Sequence, residues 1–315
     1  MPANLPRRTR IYQCHHLDST RWDPFVPRPD DIIITTSLKA GTTWMQRIVS
    51  LLLFQSTELP MSLHSYSPWI DARFIGSTSD LMMIVDNLEH RRFIKSHLAL
   101  DALPYFENVK YIYVGRDTRD VFMSAWNHVH AYTPMAIEML NSGEHAPAEP
   151  FPMPPEDIRE FWRTWITRGR YEWEHDGHPY WSHLHHARSY WDFRHLPNLL
   201  LVHYNDLKAD LDGQMRRISR FLDVPIDEQK LPTLVDAATF ASMKRDAHLL
   251  GPEMGMIFEG GAERFLFKGT NDRWRDVLTA EDLELYEAAA ARTLTPELKL
   301  WLEQGAASGV APQVD

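Results

Sequence analysis

The sequence predicts an α/β fold of the P-loop-like, three-layer type, a central parallel sheet flanked by helices, and three observations predict it. Short runs that are apolar at nearly every position recur along the chain: Ile32-Ile33-Ile34, Tyr111-Ile112-Tyr113-Val114 and Leu199-Leu200-Leu201-Val202. Continuous rather than alternating apolar runs belong to strands buried on both faces, which is the habit of parallel sheets. The first two runs lead into segments with helical spacing, and strands alternating with helices build that sheet. The first run also ends in a turn containing Lys, Gly and Thr, where a strand passes into a helix.

Taken in order, Asp31 to Thr36 reads as a strand, Ser37 to Thr43 as a loop, and Trp44, Ile48, Leu51 and Leu52 as one face of a helix. Phe93-Ile94-Lys95 has the length of a buried strand. Val109 to Gly115 repeats the strand pattern and feeds a helix carrying Val121, Phe122 and Ala125. Residues 134–160, with Pro147, Pro150, Pro152, Pro154 and Pro155, read as a long loop or lid without regular helix. A helical region rich in Trp and His follows (Trp162, Trp165, Trp173, Trp181, Trp191), then the strand Leu199 to Tyr204. Further helices are expected over Gln214 to Leu222 and Ala280 to Gln304, with a disordered tail at 305–315. No repeat or long linker divides the chain, so a single domain over 1–315 is expected.

Composition narrows the class. The 315 residues are 44% hydrophobic and 24% charged, as in ordinary globular proteins. The apolar stretch Ile48 to Phe54 is too short to span a bilayer, and the start Met1-Pro2-Ala3-Asn4 lacks an apolar signal region, so a cytoplasmic protein is expected. One cysteine, Cys14, excludes an internal disulfide and a multi-cysteine metal site. A net charge of −10 speaks against nucleic acid as partner and leaves room for a local basic pocket. The histidines at 175, 178, 183, 185 and 186 follow no metal-ligand spacing and read as a polar helix face; no metal is expected.

The turn Ser37-Leu38-Lys39-Ala40-Gly41-Thr42-Thr43-Trp44 is the chemical centre of the sequence. Backbone N–H groups and the helix dipole converge on an anion at such a junction. The nucleoside-triphosphate loop requires a Lys directly after its second Gly and a further Gly upstream. This turn has neither, and its lysine precedes Gly41. With the preceding strand and Trp44, it closely resembles the Pro-Lys-Ser-Gly-Thr-Thr-Trp signature of cytosolic-type sulfotransferases. Four more segments extend the resemblance in the right order. Lys95-Ser96-His97-Leu98 is similar to that family's Lys-Thr-His-Leu, and Tyr111 to Ser124 to the strand and helix that hold a 3'-phosphate. Tyr204-Asn205-Asp206-Leu207 resembles its Tyr-Glu-Asp-Leu, and Lys268-Gly269 with Trp274 its Arg-Lys-Gly loop.

The resemblance implies a donor, 3'-phosphoadenosine 5'-phosphosulfate, and a small-molecule acceptor with a hydroxyl or amine; the proline-rich loop and the Trp-rich segment after it are expected to shape the acceptor pocket, and their aromatics point to an aromatic or hydrophobic acceptor. Lys39, Ala40, Gly41, Thr42 and Thr43 would cradle the 5'-phosphosulfate, and Trp44 would stack on adenine. Arg116, Ser124, Lys268 and Gly269 would grip the 3'-phosphate, and Tyr204, Phe240 and Met243 would contact the base. His97 would act as general base, an imidazole being suited to proton removal near neutral pH. Lys39 and Lys95 would neutralise charge on the transferring group. Phe267 stands where the family has Arg, Asp272-Arg273 where it has Gly-Asp, and Ala40 where it has Ser, so either donor affinity is reduced or Arg264, Arg273 or Arg275 compensates. The family's dimerisation motif is not recognisable around Thr279 to Glu284, and no oligomeric state follows. A small-molecule kinase and a noncatalytic nucleotide-binding protein are the alternatives; the missing loop lysine opposes the first, and His97 with both lysines opposes the second.

Overall fold

The computed structural model describes residues 5–59, 61–251 and 253–312. Among them, β1 (Ile32–Thr35), β2 (Phe93–Ser96), β3 (Lys110–Gly115) and β4 (Leu199–His203) form one sheet in the order β2-β1-β3-β4. Every pairing is parallel, and the registers Thr35↔Ser96, Thr35↔Tyr113 and Gly115↔His203 bring the carboxyl ends to one edge. The chain leaves β1 for β2 on one side and returns past it to β3 on the other. That reversal opens a crevice beyond the carboxyl end of β1, the usual ligand position in such sheets.

Side chains alternate between two apolar layers, as a period of two requires. Ile33, Ile94, Tyr111, Tyr113, Leu199 and Leu201 pack into one core with Phe161, Trp162 and Trp191. Ile32, Ile34, Phe93, Ile112, Val114, Leu200 and Val202 pack into the other with Ile48, Leu51, Met215 and Ile218. Each fully buried Ile, Leu or Val contributes about 1.5–3 kcal/mol, so continuous apolar runs are what a sheet covered on both faces selects.

Three helices position the crevice. Helix α1 (Thr42–Phe54) begins at Gly41, directly after the first turn. Helix α2 (Thr118–Val129) follows β3 and is capped by the Asp117 carboxylate, which accepts from the Arg119 N–H at 2.8 Å. Helix α3 (His183–Trp191) precedes β4, and the Ser182 hydroxyl caps it by accepting from the His185 N–H at 2.8 Å.

The sequence reading needs correction in several places. Part of the expected lid is regular: Pro134–Asn141 is a helix whose proline occupies the first turn, where no N–H is needed, with Thr133 as its cap. Residues 142–157 are irregular. The Trp- and His-rich stretch is two helices, Ile158–Thr167 and α3, joined by irregular chain. Its histidines do not form a polar face, since His183 and His186 are buried, whereas His185 reaches Asp101 at 2.8 Å. Ala280–Thr293 and Pro296–Gln304 are separate helices because Pro296 cannot continue the first. Gly305–Ser308, expected to fray, form a short turn with Gly305 buried and the Ala306 N–H bonded to Asp206 at 2.9 Å. Residues 313–315 of that tail lie outside the described residues.

Candidate active site

The first turn carries its function in its backbone. Lys39 adopts φ 65° and Gly41 φ 122°. The left-handed region costs a non-glycine residue about 1–2 kcal/mol, so surrounding contacts must hold Lys39 there. At Gly41 a Cβ would meet the Tyr204 ring at 3.1 Å, and only glycine suits both the angle and the space. Helix α1 has no side-chain cap, which leaves the N–H groups of its first turn for an anion. Ala40 departs from expectation: its side chain is fully buried in the core and takes no part in the cavity wall.

Beyond this turn opens a cavity of about 670 Å³. Lys39, Gly41, Thr42, Thr43 and Trp44 line it, as do Lys95, His97, Arg116, Ser124 and Tyr204 from the neighbouring strand ends and α2. Phe240, Met243, Lys268 and Gly269 close it from distant loops, so every expected site residue except Ala40 reaches the same space. At Gly269 (φ 63°) a Cβ would lie 2.5 Å from the Phe240 ring, which explains the glycine. Trp44 is fixed by its indole N–H, donated to the Ala238 carbonyl at 2.7 Å, and stands edge-on to Tyr204.

The cations of the cavity rest on aromatic rings instead of carboxylates. Lys39 Nζ lies 4.0 Å from the Phe265 centroid, Lys95 Nζ 4.1 Å from that of Trp69, and the Arg116 guanidinium 4.0 Å from that of Tyr204. Such contacts hold a cation without neutralising it. Burial, with the charges of Lys95 and Arg116, pulls the Lys39 pKa down to about 7. Burial likewise brings Lys95 to about 8, with Asp71 opposing.

His97 lies just past the end of β2 and lines the cavity. Its Nδ1 lies 2.7 Å from the Thr36 carbonyl oxygen, which can only accept, so the neutral ring carries its proton on Nδ1 and leaves the Nε2 lone pair free. Burial foremost, and then the Lys95 charge, holds the imidazole well below its usual pKa and hence neutral. Asp71, which the sequence reading missed, organises this corner. Its carboxylate accepts from the His97 N–H at 2.9 Å, from the Trp69 indole at 2.7 Å and from the Trp22 indole at 3.1 Å.

His183 was also missed, because its partners lie far away in sequence. Its Nε2 is 3.1 Å from the Arg116 carbonyl oxygen and its Nδ1 2.5 Å from the Ser37 hydroxyl. The carbonyl fixes Nε2 as donor and therefore Nδ1 as acceptor, so one buried imidazole ties the first turn to the end of β3. No signal beyond its position in a histidine-rich run marks it.

Much of the remaining cavity lining is apolar, with Trp69, Phe74, Leu81, Met139, Leu140 and Phe258 among it. The Trp-rich segment takes no part in this lining: Trp162, Trp165, Trp181 and Trp191 are buried packing residues and none lines the cavity, which corrects the expectation that it shapes the acceptor pocket. From residues 134–160 only the helix Pro134–Asn141 contributes, through Ala136, Met139 and Leu140. Among the described residues no group of His, Cys, Asp and Glu is arranged to hold a metal ion, and no helix is long and apolar enough to cross a membrane.

A family model described as a sulfotransferase domain matches residues 29–296. The chain is 31% identical to a glycolipid sulfotransferase of Mycobacterium bovis over 330 residues, covering 97% of this chain and 98% of the relative. It is 25% identical over 280 residues to sulfotransferase 1A1 of Rattus norvegicus, covering 86% and 87%. Among solved structures, retinol dehydratase in complex with androsterone and the inactive cofactor PAP shares the fold with a TM-score of 0.64 at 22% identity, over 88% of this chain and 84% of that one. Mouse sulfotransferase SULT7A1 complexed with PAP gives a TM-score of 0.65 at 18% identity, over 88% and 89%.

Proposed function

The chain belongs to the sulfotransferase family, and from that premise we propose that it moves the sulfuryl group of 3'-phosphoadenosine 5'-phosphosulfate onto a hydroxyl, or an amine, of a hydrophobic small molecule, with His97 as general base. The observation that carries this reading is the hydrogen bond from His97 Nδ1 to the Thr36 carbonyl. It fixes the base to the same turn that would cradle the donor. The N–H groups at the start of α1 would hold the 5'-phosphosulfate, and Arg116 and Lys268 the 3'-phosphate.

In the reaction, the acceptor oxygen attacks sulfur as the bond from sulfur to the 5'-phosphate oxygen breaks. The acceptor proton passes to His97 Nε2, and adenosine 3',5'-bisphosphate leaves with the bonding electrons. Such transfers depend on in-line positioning and on stabilising charge at the leaving oxygen. Lys39 and Lys95 would supply that stabilisation, so no divalent metal is required. The apolar wall of Trp69, Phe74, Leu81 and Phe258 supports a hydrophobic acceptor. The full-length similarity to glycolipid sulfotransferases favours a lipid bearing a hydroxyl over a small phenol.

The test is transfer of labelled sulfate to a panel of glycolipids, sterols, phenols and amines, with and without excess chelator. Product with a lipid alcohol that persists in chelator is expected. Transfer from ATP instead, or strict dependence on Mg²⁺, would overturn the reading.

A further inference from the structure

We propose that Arg273 is a third cation of the 3'-phosphate site, supplying beside Arg116 and Lys268 the charge that Phe267 lacks. The inference rests on the nucleotide reading above.

The loop 267–274 is docked so as to place Arg273 there. Asn271 accepts from Arg116 Nη2 at 2.9 Å through its side-chain oxygen, and the Asp272 N–H donates to Asp120 Oδ1 at 2.7 Å. Asp120 lies in the first turn of α2, one helical turn before Ser124, and Asp272 turns the chain with φ 65°. Arg273 follows at once, close enough to Arg116 and Asp120 to feel their charges, and lines the cavity with Arg116 and Ser124.

Its competitors are engaged elsewhere. Arg275 pairs with Asp272 at 2.8 Å and lies 4.4 Å over the Trp274 ring. Arg264 lies against the Phe267 ring at 5.0 Å but forms no part of the cavity wall. Arg273 rests on the same ring, 5.4 Å from its centroid, so Phe267 serves as a platform for the guanidinium.

Both arginines lack an anion. Among the described residues neither Arg116 nor Arg273 forms an ion pair, and the buried Nε of each has no hydrogen-bond partner. Asp120, the carboxylate near both, is occupied by the Asp272 N–H, and burial raises its pKa to about 6. Burial foremost lowers the pKa of Arg273, and the neighbouring Arg116 charge lowers it further. A buried N–H without a partner is costly, and a phosphate dianion satisfies two such groups together.

The experiment is calorimetric binding of adenosine 3',5'-bisphosphate and of 5'-AMP to the full chain and to Arg273→Ala, Arg116→Ala and Arg275→Ala. Arg273→Ala should weaken the bisphosphate about tenfold or more and leave 5'-AMP within about twofold, because only a charge-assisted contact to the 3'-phosphate is lost. Arg273→Gln keeps the stem on Phe267 and carries the same expectation if the alanine variant does not fold. Arg275→Ala should change neither ligand. If Arg116→Ala abolishes the preference for the bisphosphate while both Arg273 variants retain it, the proposal is wrong and the nucleotide reading stands. If the unaltered protein shows no preference, the nucleotide reading fails and this proposal fails with it.

Discussion

The His183 imidazole joins Ser37 to Arg116, accepting the hydroxyl of the first at 2.5 Å and donating to the carbonyl of the second at 3.1 Å. The two residues follow different strands, so this buried ring links the turn after β1 to the carboxyl end of β3. Burial pushes the pKa of this imidazole down to about 4, so it is neutral in the folded protein and able to play both parts.

His183→Ala should therefore destabilise the protein by about 2–4 kcal/mol, from two lost buried hydrogen bonds and a cavity. It should also weaken donor binding without removing any group that touches the donor. The depressed pKa adds a pH signature. Below about 6.5 the unfolded chain binds a proton that the folded site refuses, so this contribution to stability is complete above that pH and falls away toward about 4. His16 and His178, lowered to about 3 and about 4, add to the same slope. Chemical denaturation from pH 4 to 7 checks this: the variant should show a shallower pH dependence, and an unchanged slope would remove His183 from the account.

Catalysis and binding separate at His97 and Lys39. His97→Ala should lower kcat by about 10²- to 10⁴-fold and keep nucleotide affinity within about threefold, because a general base does not grip the donor. Lys39→Ala should impair both, since the lysine lines the cavity beside the first turn and would face the donor there. Steady-state kinetics with calorimetry decide. Normal turnover by His97→Ala on an unactivated alcohol would reassign proton removal, whereas joint loss of binding and stability would mark this histidine as structural.

The relation of Phe267 to Arg273 sets the outcome of a charge insertion. Arg264, Lys268 and Arg273 surround the Phe267 ring at 5.0, 5.3 and 5.4 Å. With Arg273 already in place, Phe267→Arg should fail to tighten adenosine 3',5'-bisphosphate by more than about threefold, because the added charge is offset by repulsion and by the lost platform. A gain of about tenfold or more in a titration would show that the site lacks a cation.

The strands were legible because a sheet covered on both faces selects apolar residues at nearly every position, and Ile32 to Ile34 or Leu199 to Val202 admit few other readings. Lys39, Gly41, His97 and Arg116 were legible because each sits at a strand's carboxyl end, where local sequence and fold geometry coincide. Asp71 and His183 were not, since their roles arise from partners on other strands and loops. Pro134 was misread because a proline breaks a helix in its interior yet starts one in the first turn. The tryptophans misled because composition does not distinguish a core ring from a pocket ring, and Trp162, Trp165, Trp181 and Trp191 went to the core.

Nucleotide binding should be coupled to protonation of the two lysines. Lys39 titrates at about 7 and Lys95 at about 8, lowered chiefly by burial. A bound anion favours the charged form of both and raises these values, so nucleotide binding at pH 8 should draw protons from solution. Affinity for adenosine 3',5'-bisphosphate should then be nearly level below about pH 6.5 and fall as pH rises through 7 and 8. Once the bound-state values are passed the fall should stop. Calorimetry at pH 8 in two buffers of different ionisation heat measures the proton count directly. A net uptake of about one or more is expected for the unaltered protein, and a smaller one for Lys39→Met, which keeps the stem and removes the titrating group. The His97 imidazole, held neutral throughout this range, should add nothing to the count, so His97→Ala serves as the control. Affinity that stayed flat from pH 6.5 to 9 would mean that both lysines keep their charge without the nucleotide, and that burial does not weaken them as the geometry requires.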